Sequence, residues 1–286
     1  MDIYSPSGIR QILSKHNYFL SSTKGQNYLI DKNTSQKIVK LIKSLTQNKT
    51  YVLEVGSGLG AITLPLAQTF EYVVTVEIDR GIAKCLEEVL EYYGVREKVK
   101  VITKDFLKLH PSDIPLIDPQ NTIFVSNLPY NVAGEILKKI IYEYQIEDLF
   151  VMVQKEFFER ITAKQGNRNY SFVSVVTQLS VDKITKLLDV GKNSFFPIPS
   201  VDSVFINLKR SPLPISEEEV KVIQKLFTTR RKTILNSIHT LFNHSKDIIR
   251  NLLLDLNIDE KTRIENLPPI TIKDLVKNLL KLSSQK

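Results

Sequence analysis

Glu54-Val55-Gly56-Ser57-Gly58-Leu59-Gly60-Ala61 decides the fold. The segment Tyr51–Val55, apolar but for Glu54, leads into it and reads as a strand. A helical pattern opens at about Ala61. Glycines allow a backbone to turn through positive φ and to approach a ligand closely. The stretch satisfies G-x-G-x-x-(G/A) through Gly56, Gly58 and Ala61, and the acidic Glu77 stands about 20 residues on. In an open parallel sheet, ligands bind beyond the carboxyl ends of the strands, often at this first turn. The motif therefore predicts an adenosine-bearing cofactor on a Rossmann-like sheet. It does not separate a nicotinamide or flavin dinucleotide from other cofactors of that class. A dinucleotide-dependent oxidoreductase stays open at this point.

Outward from the turn, strand-like and helix-like segments alternate. Strands are expected at Tyr51–Val55, Tyr72–Glu77, Val99–Thr103, Thr122–Val125 and Leu149–Val153, with two more near Lys183–Val190 and Ser203–Leu208. Helices are expected from about Ala61, over about Arg80–Tyr93, from about Val132 to Tyr144, and over Lys155–Ala163. An earlier helix, capped by Asp31, would bury Ile38, Leu41, Ile42 and Leu45, while residues 1–30 read as polar and irregular. This alternation argues for an α/β fold, a mostly parallel sheet with helices on both faces. Ser211-Pro212-Leu213-Pro214 reads as a linker. Beyond it no strand pattern appears, and Val220, Ile223, Leu226 and Phe227 keep helical spacing. We expect residues 1–210 to form the sheet domain and residues 211–286 a small all-helical domain. The latter carries 13 Lys/Arg against 9 Asp/Glu.

The 286 residues carry a net charge of +8, which favours a polyanionic partner. A single cysteine, Cys85, excludes a disulfide framework and suits a reducing cytosol. It lies on a helical pattern among Ile82, Leu86 and Val89 and reads as packing. No apolar run reaches membrane-spanning length, and the N-terminus lacks signal-peptide character. Membrane association and a metal site are not expected; the four histidines are scattered without ligand spacing. Nothing in the pattern demands more than a monomer.

Asn127-Leu128-Pro129-Tyr130 follows the Thr122–Val125 strand. An amide oxygen and a backbone carbonyl can each accept one N–H from an exocyclic amine, and an aromatic ring can stack on the base. Pro129 biases Leu128 away from the αR region, which steadies its carbonyl. Asp105, at the end of the third strand, could accept from an adenine amine or cap a helix. Glu77 is preferred to Asp79 for a ribose, because it ends its apolar run and Asp79-Arg80 reads as a helix start. Arg230-Arg231-Lys232, with Asn236, reads as a basic helix face open to phosphates.

Together these motifs resemble the ribosomal RNA adenine dimethyltransferases, from about residue 19 to about 280. The resemblance rests on Gly25-Gln26-Asn27-Tyr28-Leu29, the Glu54–Gly60 turn, Glu77-Ile78-Asp79, Asp105 and Asn127-Leu128-Pro129-Tyr130-Asn131. Val153–Glu156, Phe196–Ser203, Arg230–Thr233 and Arg263–Leu267 extend it in the same order. Ser57 and Tyr28 depart from the family's usual proline and phenylalanine, but keep the backbone turn and the ring. The resemblance implies S-adenosylmethionine as cofactor, contacted by Asn27, Leu29, Gly56, Glu77, Asp105 and Asn127. It implies catalysis at Asn127, Leu128, Pro129 and Tyr130, and base stacking by Tyr130 and one of Phe195 and Phe196, with Phe195 preferred. The implied substrate is a pair of adjacent adenosines in the 3′-terminal hairpin loop of 16S small-subunit rRNA, within pre-30S particles in the cytoplasm. Arg230, Arg231 and Lys232 would contact the RNA. A large-subunit (23S) rRNA adenine methyltransferase of the antibiotic-resistance type is the closest rival, and an assembly-factor role could accompany catalysis.

Overall fold

The computed structural model describes residues 1–18, 27–46, 48–114, 118–129, 132–212 and 214–283. It divides into two compact units, residues 1–155 with 183–210, and residues 156–182 with 211–286.

In the first unit, helix α1 (Pro6–Lys15) occupies part of the segment expected to be irregular. Ser5 caps it, its Oγ accepting from Gly8 N–H at 3.1 Å, and Pro6 begins it. Ile9, Ile12 and Leu13 form its buried face. Strand β1 (Tyr28–Leu29) follows. Helix α2 (Lys32–Leu45) is capped by Asp31, which accepts from Thr34 N–H at 3.0 Å. Its buried face is Ser35, Ile38, Val39 and Ile42. The face is rotated from the one expected, leaving Leu45 exposed.

Strand β2 (Tyr51–Val55), helix α3 (Thr63–Thr69), strand β3 (Tyr72–Glu77), helix α4 (Arg80–Tyr92) and strand β4 (Val99–Thr103) then alternate. Strand β5 (Thr122–Asn127), helix α5 (Ala133–Lys139), which runs on into a π turn at Ile140–Tyr144, and strand β6 (Asp148–Gln154) complete the parallel part. Strand β7 (Val181–Val190), the short β8 (Phe195–Phe196) and β9 (Ser203–Arg210) come last.

The main sheet has the order β4-β3-β2-β5-β6-β9-β7. Strands β4 through β6 are parallel, and β9 runs antiparallel to β6. Strand β2 pairs with β3 on one side and with β5 on the other, so the winding reverses between β2 and β5. That crevice is where an open α/β sheet receives ligands. Val52, Leu53, Phe124, Val125, Phe150 and Val151 are all buried. Strands covered on both faces read as continuous apolar runs, which made them visible in the sequence. Strands β1 and β8 form a separate antiparallel pair, Tyr28 opposite Phe196 and Leu29 opposite Phe195.

The second unit is helical. Helix α6 (Lys155–Ile161) leads into it, and α7 (Phe172–Ser180) packs with α8 (Glu217–Thr228). Helices α9 (Ile234–Phe242), α10 (Lys246–Asp255) and α11 (Pro269–Ser283) complete it. Tyr170 Oη donates to Leu267 O at 2.9 Å inside this unit. Ser216 and Glu219 form a reciprocal capping box at the start of α8. Among the described residues, no helix is long and apolar enough to cross a membrane.

Candidate active site

A cavity of about 510 Å³ opens at the carboxyl ends of β2 to β5. Asn27, Gly56, Glu77, Asp105 and Asn127 share its wall with Leu128 and Pro129. The topology explains the convergence, since parallel strands deliver their last residues to one edge.

The glycine turn forms the floor. Gly56 has φ +79° and its N–H donates to Val76 O at 2.9 Å, tying the turn to β3. Gly58 has φ +54°, and a Cβ there would lie 3.1 Å from the Tyr28 ring. The same residue's N–H donates to Glu77 Oε2 at 3.1 Å. Glu77 Oε1 accepts from Asp79 N–H at 3.0 Å. Burial pushes the Glu77 carboxyl above the usual range, and the backbone N–H groups of Asp79 and Gly58 oppose the shift. Asp79 is engaged differently. Its Oδ1 accepts from Gly81 and Ile82 N–H at 2.9 and 3.3 Å, capping α4, and Tyr18 Oη donates to its Oδ2. Asp105 Oδ1 accepts from Leu107 N–H at 3.0 Å, so Asp105 both caps a short turn and lines the cavity.

Asn127 ends β5, half-buried. Its Nδ2 donates to Asn27 O at 3.4 Å, which orients the amide and leaves Oδ1 as its acceptor. Leu128 N–H donates to Met152 O at 3.1 Å, and Pro129 O accepts from Val132 N–H at 3.1 Å. The corner is thus pinned on both sides. Tyr130 and Asn131 lie outside the described residues, as do Gly25 and Gln26.

Several expectations need correction. Phe195 has no exposed surface; it is held in the core by the β1–β8 pairing and offers no open face to a base. Phe196 is half-buried, with the Arg10 guanidinium 4.9 Å from its ring centroid. Leu29 is buried opposite Phe195 and lines a separate cavity of about 40 Å³ rather than the large one. Glu54, the first residue of the glycine-turn stretch, lines that smaller cavity too. It is 2% exposed, accepts from Thr63 Oγ1 at 2.6 Å, and burial pushes its carboxyl up to about 7. Arg230, Arg231 and Lys232 are exposed, but they sit in the turn between α8 and α9, not on a helix.

Ile78 and Tyr28 are wall residues to which the sequence assigned no role. Ile78 is 67% exposed, an apolar side chain placed between two acids at a strand end. The available signal was its place between Glu77 and Asp79 just beyond a strand's carboxyl end, where an open parallel sheet binds ligands. Phe106, Leu107, Val132 and Ile136 join it in an apolar wall suited to a flat ring. Among the described residues, no group of His, Cys, Asp and Glu is placed to hold a metal ion.

Comparison with known proteins agrees with this geometry. The family model for ribosomal RNA adenine dimethylase matches residues 20–281. A ribosomal RNA small subunit methyltransferase A of Staphylococcus carnosus is 35% identical over 292 residues, covering 98% of this chain and 97% of the relative. One from Bacillus thuringiensis is 32% identical over 278 residues, covering 93% of each. Among solved structures, a dimethyladenosine transferase from Plasmodium falciparum aligns with TM-score 0.72 at 24% identity, over 88% of this chain and 97% of that one. The 23S rRNA methyltransferase ErmE aligns with TM-score 0.63 at 23% identity, over 88% and 98%. These two likenesses show the fold. The chain belongs to the ribosomal RNA adenine dimethylase family, and is an S-adenosylmethionine-dependent rRNA adenine dimethyltransferase.

Proposed function

We propose that this enzyme dimethylates N6 of two adjacent adenosines in the 3′-terminal hairpin loop of 16S small-subunit rRNA, and takes part in small-subunit biogenesis. One observation carries the reading: the Asn127–Leu128 acceptor corner and the carboxylates Glu77 and Asp105 line a single cavity. The near full-length similarity to proteins named small subunit methyltransferase A supports that choice of RNA.

The cavity fits S-adenosylmethionine. The positive-φ glycine turn lets backbone approach the cofactor, and Glu77 presents a held carboxylate to its ribose hydroxyls. Asp105 accepts from the adenine amine in this reading, which its position in one cavity wall with Ile78 and Phe106 supports. When bound, the cofactor supplies a methyl group on a sulfonium, which leaves without acid assistance.

The chain's own task is the nucleophile. The N6 lone pair of adenine is delocalised into its ring. If Asn127 Oδ1 and the Leu128 carbonyl each accept one N–H, a more pyramidal nitrogen is favoured. Positive charge grows on that nitrogen during transfer, so two fixed oxygen dipoles stabilise the transition state more than the ground state. The hydrogen bonds from Asn127 to Asn27 and from Leu128 to Met152 hold both acceptors in advance. The methylated nitrogen is acidic and loses its proton to water, so no general base is required. The target base must leave its stack, at a cost of a few kcal/mol that is smaller in a loop. Stacking on Tyr130 returns roughly 1–3 kcal/mol.

In this proposal the sheet unit, which takes residues 1–155 and 183–210 of the expected 1–210 domain, carries out methyl transfer, and the helical unit, residues 156–182 with 211–286, binds RNA, with Arg230, Arg231 and Lys232 on its phosphates. The enzyme acts as a cytoplasmic monomer on pre-30S particles. Incubating it in parallel with undermethylated small subunits and with undermethylated large subunits, each with labelled cofactor, then mapping the modified nucleotides, tests this. Label in two adjacent adenosines near the 16S 3′ end is expected. Label confined to 23S rRNA would replace the reading with its large-subunit rival, to which the ErmE likeness lends the fold.

A further inference from the structure

Helix α2 carries Lys32, Lys37, Lys40 and Lys43 and no acidic residue. Among the described residues, Lys37, Lys40 and Lys43 form no ion pair. Other lysines of this unit do: Lys15 pairs with Glu88, and Lys49 with Glu147 and Asp148. Lys37 and Lys40, and Lys40 and Lys43, stand three residues apart, so each pair is mutually repulsive on the helix surface. A surface shaped only for solubility intersperses charges of both signs.

A groove runs beside this row, between α2 and α3, with a volume of about 710 Å³. Gln36, Lys40, Lys43 and Ser44 line it from α2, and Gln68 and Thr69 from α3. No carboxylate lines it. Lys43 Nζ lies 5.1 Å from the centroid of the Phe70 ring, a contact that steadies the ammonium. The ammonium and amide donors along this open groove suit phosphate oxygens, whereas Ser44 Oγ and Thr69 Oγ1 already donate to Leu41 O and Pro65 O.

The row starts beside the active site. Asp31, the cap of α2, accepts from Ser194 Oγ at 3.5 Å, and Ile30 N–H donates to Ser194 O at 2.8 Å, next to the β1–β8 pair. Asn27, on the cavity wall, is only a few residues earlier. From Lys32 to Lys43 the helix rises about 16 Å. One nucleic-acid strand places a phosphate roughly every 3.4 Å of axis. The row therefore leads away from the cavity over a length that several consecutive phosphates cover.

We infer that the lysine row of α2 and its groove form a second RNA contact, holding the backbone of the strand that flanks the target adenosine. This rests on the reading that the substrate is rRNA. A membrane surface fits less well. A membrane-bound helix turns its apolar face outward, whereas Ile38, Val39 and Ile42 of α2 are buried in the core.

The test replaces Lys37→Gln, Lys40→Gln and Lys43→Gln together in the full chain. Binding to a labelled 16S 3′-hairpin RNA and to a 23S hairpin RNA is titrated between 50 and 200 mM salt. Each lost phosphate contact lowers the log–log salt slope by about 0.7–0.9. The triple variant should lose about 2 from the slope and bind about 10–100-fold more weakly at the lowest salt. Lys→Arg at the same three positions should keep the wild-type slope. S-adenosylhomocysteine binding by calorimetry, unchanged in both variants, shows an intact fold. An unchanged slope in the Gln variant overturns the inference. So does a loss seen with phosphatidylserine vesicles and not with RNA. A slope difference in a wild-type protein that methylates no small-subunit adenosine rejects the proposed substrate and leaves the contact standing. Methylation of small-subunit adenosines with no slope difference rejects the contact alone.

Discussion

Replacing Glu54 by Gln should make the protein more stable at pH 8 than the wild type, and change it little at pH 5. Glu54 is 2% exposed, and burial pushes its carboxyl up to about 7 from the ordinary 4.5. Between those two values the folded state holds a proton that the unfolded state has released. Stability therefore falls as pH rises across that window. At about 1.36 kcal/mol per pKa unit, the full penalty is about 3 kcal/mol, and most of it, roughly 2–3 kcal/mol, develops between pH 5 and pH 8. The variant has no charge to bury. Its amide oxygen can still accept from Thr63 Oγ1, and its amide N–H can reach toward Thr75, which faces residue 54 across the β2–β3 pair. Thermal unfolding of both proteins without cofactor, at pH 5, 6, 7 and 8, reads the effect. At about 2–4 °C per kcal/mol for a unit of this size, the variant should gain about 5–10 °C on the wild type across the range. A melting-temperature difference that stays flat from pH 5 to pH 8 would refute the argument, because it would show that Glu54 titrates alike in both states.

Other consequences concern the cavity. Asn127→Ala should raise the methyl-transfer barrier by about 2–4 kcal/mol, read as single-turnover rate on undermethylated subunits. Its S-adenosylhomocysteine affinity should move by less than a tenth of that rate loss. Glu77→Gln removes a carboxylate held by two backbone N–H groups, and calorimetry should show cofactor affinity falling about 10–100-fold. Gly58→Ala forces a side chain into φ +54° with its Cβ 3.1 Å from the Tyr28 ring. It should lose about 1–2 kcal/mol, seen as a lower melting temperature, together with weaker cofactor binding.

Much of the sheet was legible because its strands are covered on both faces. Val52, Leu53 and Val55, interrupted only by Glu54, and Ile123–Val125 are apolar stretches between turn residues, a pattern that survives without knowledge of neighbours. The glycine turn was legible for a related reason, since positive φ restricts the residue type at Gly56, Gly58 and Gly60. Burial that depends on a distant partner was not. Phe195 looked available because nothing local announces that Leu29, far away in sequence, will pair with it. Helix α1 was hidden by its brevity, although Ser5 and Pro6 marked its start. Residues 156–182 gave no sign that they would pack with the C-terminal helices, because α7 is short and apolar around much of its surface. The basic triplet was read on a helix because the pattern continues through it, yet Thr233 restarts the helix as a new cap, its Oγ1 accepting from Asn236 N–H.

The mechanism depends most directly on where the adenine amine docks. A structure of the enzyme with S-adenosylhomocysteine and an adenosine-containing hairpin RNA measures this. N6 should lie within hydrogen-bond distance, about 2.7–3.2 Å, of both Asn127 Oδ1 and the Leu128 carbonyl, with the cofactor's ribose on Glu77. An adenine seated elsewhere, or an acceptor corner turned away from the cofactor sulfur, would contradict it.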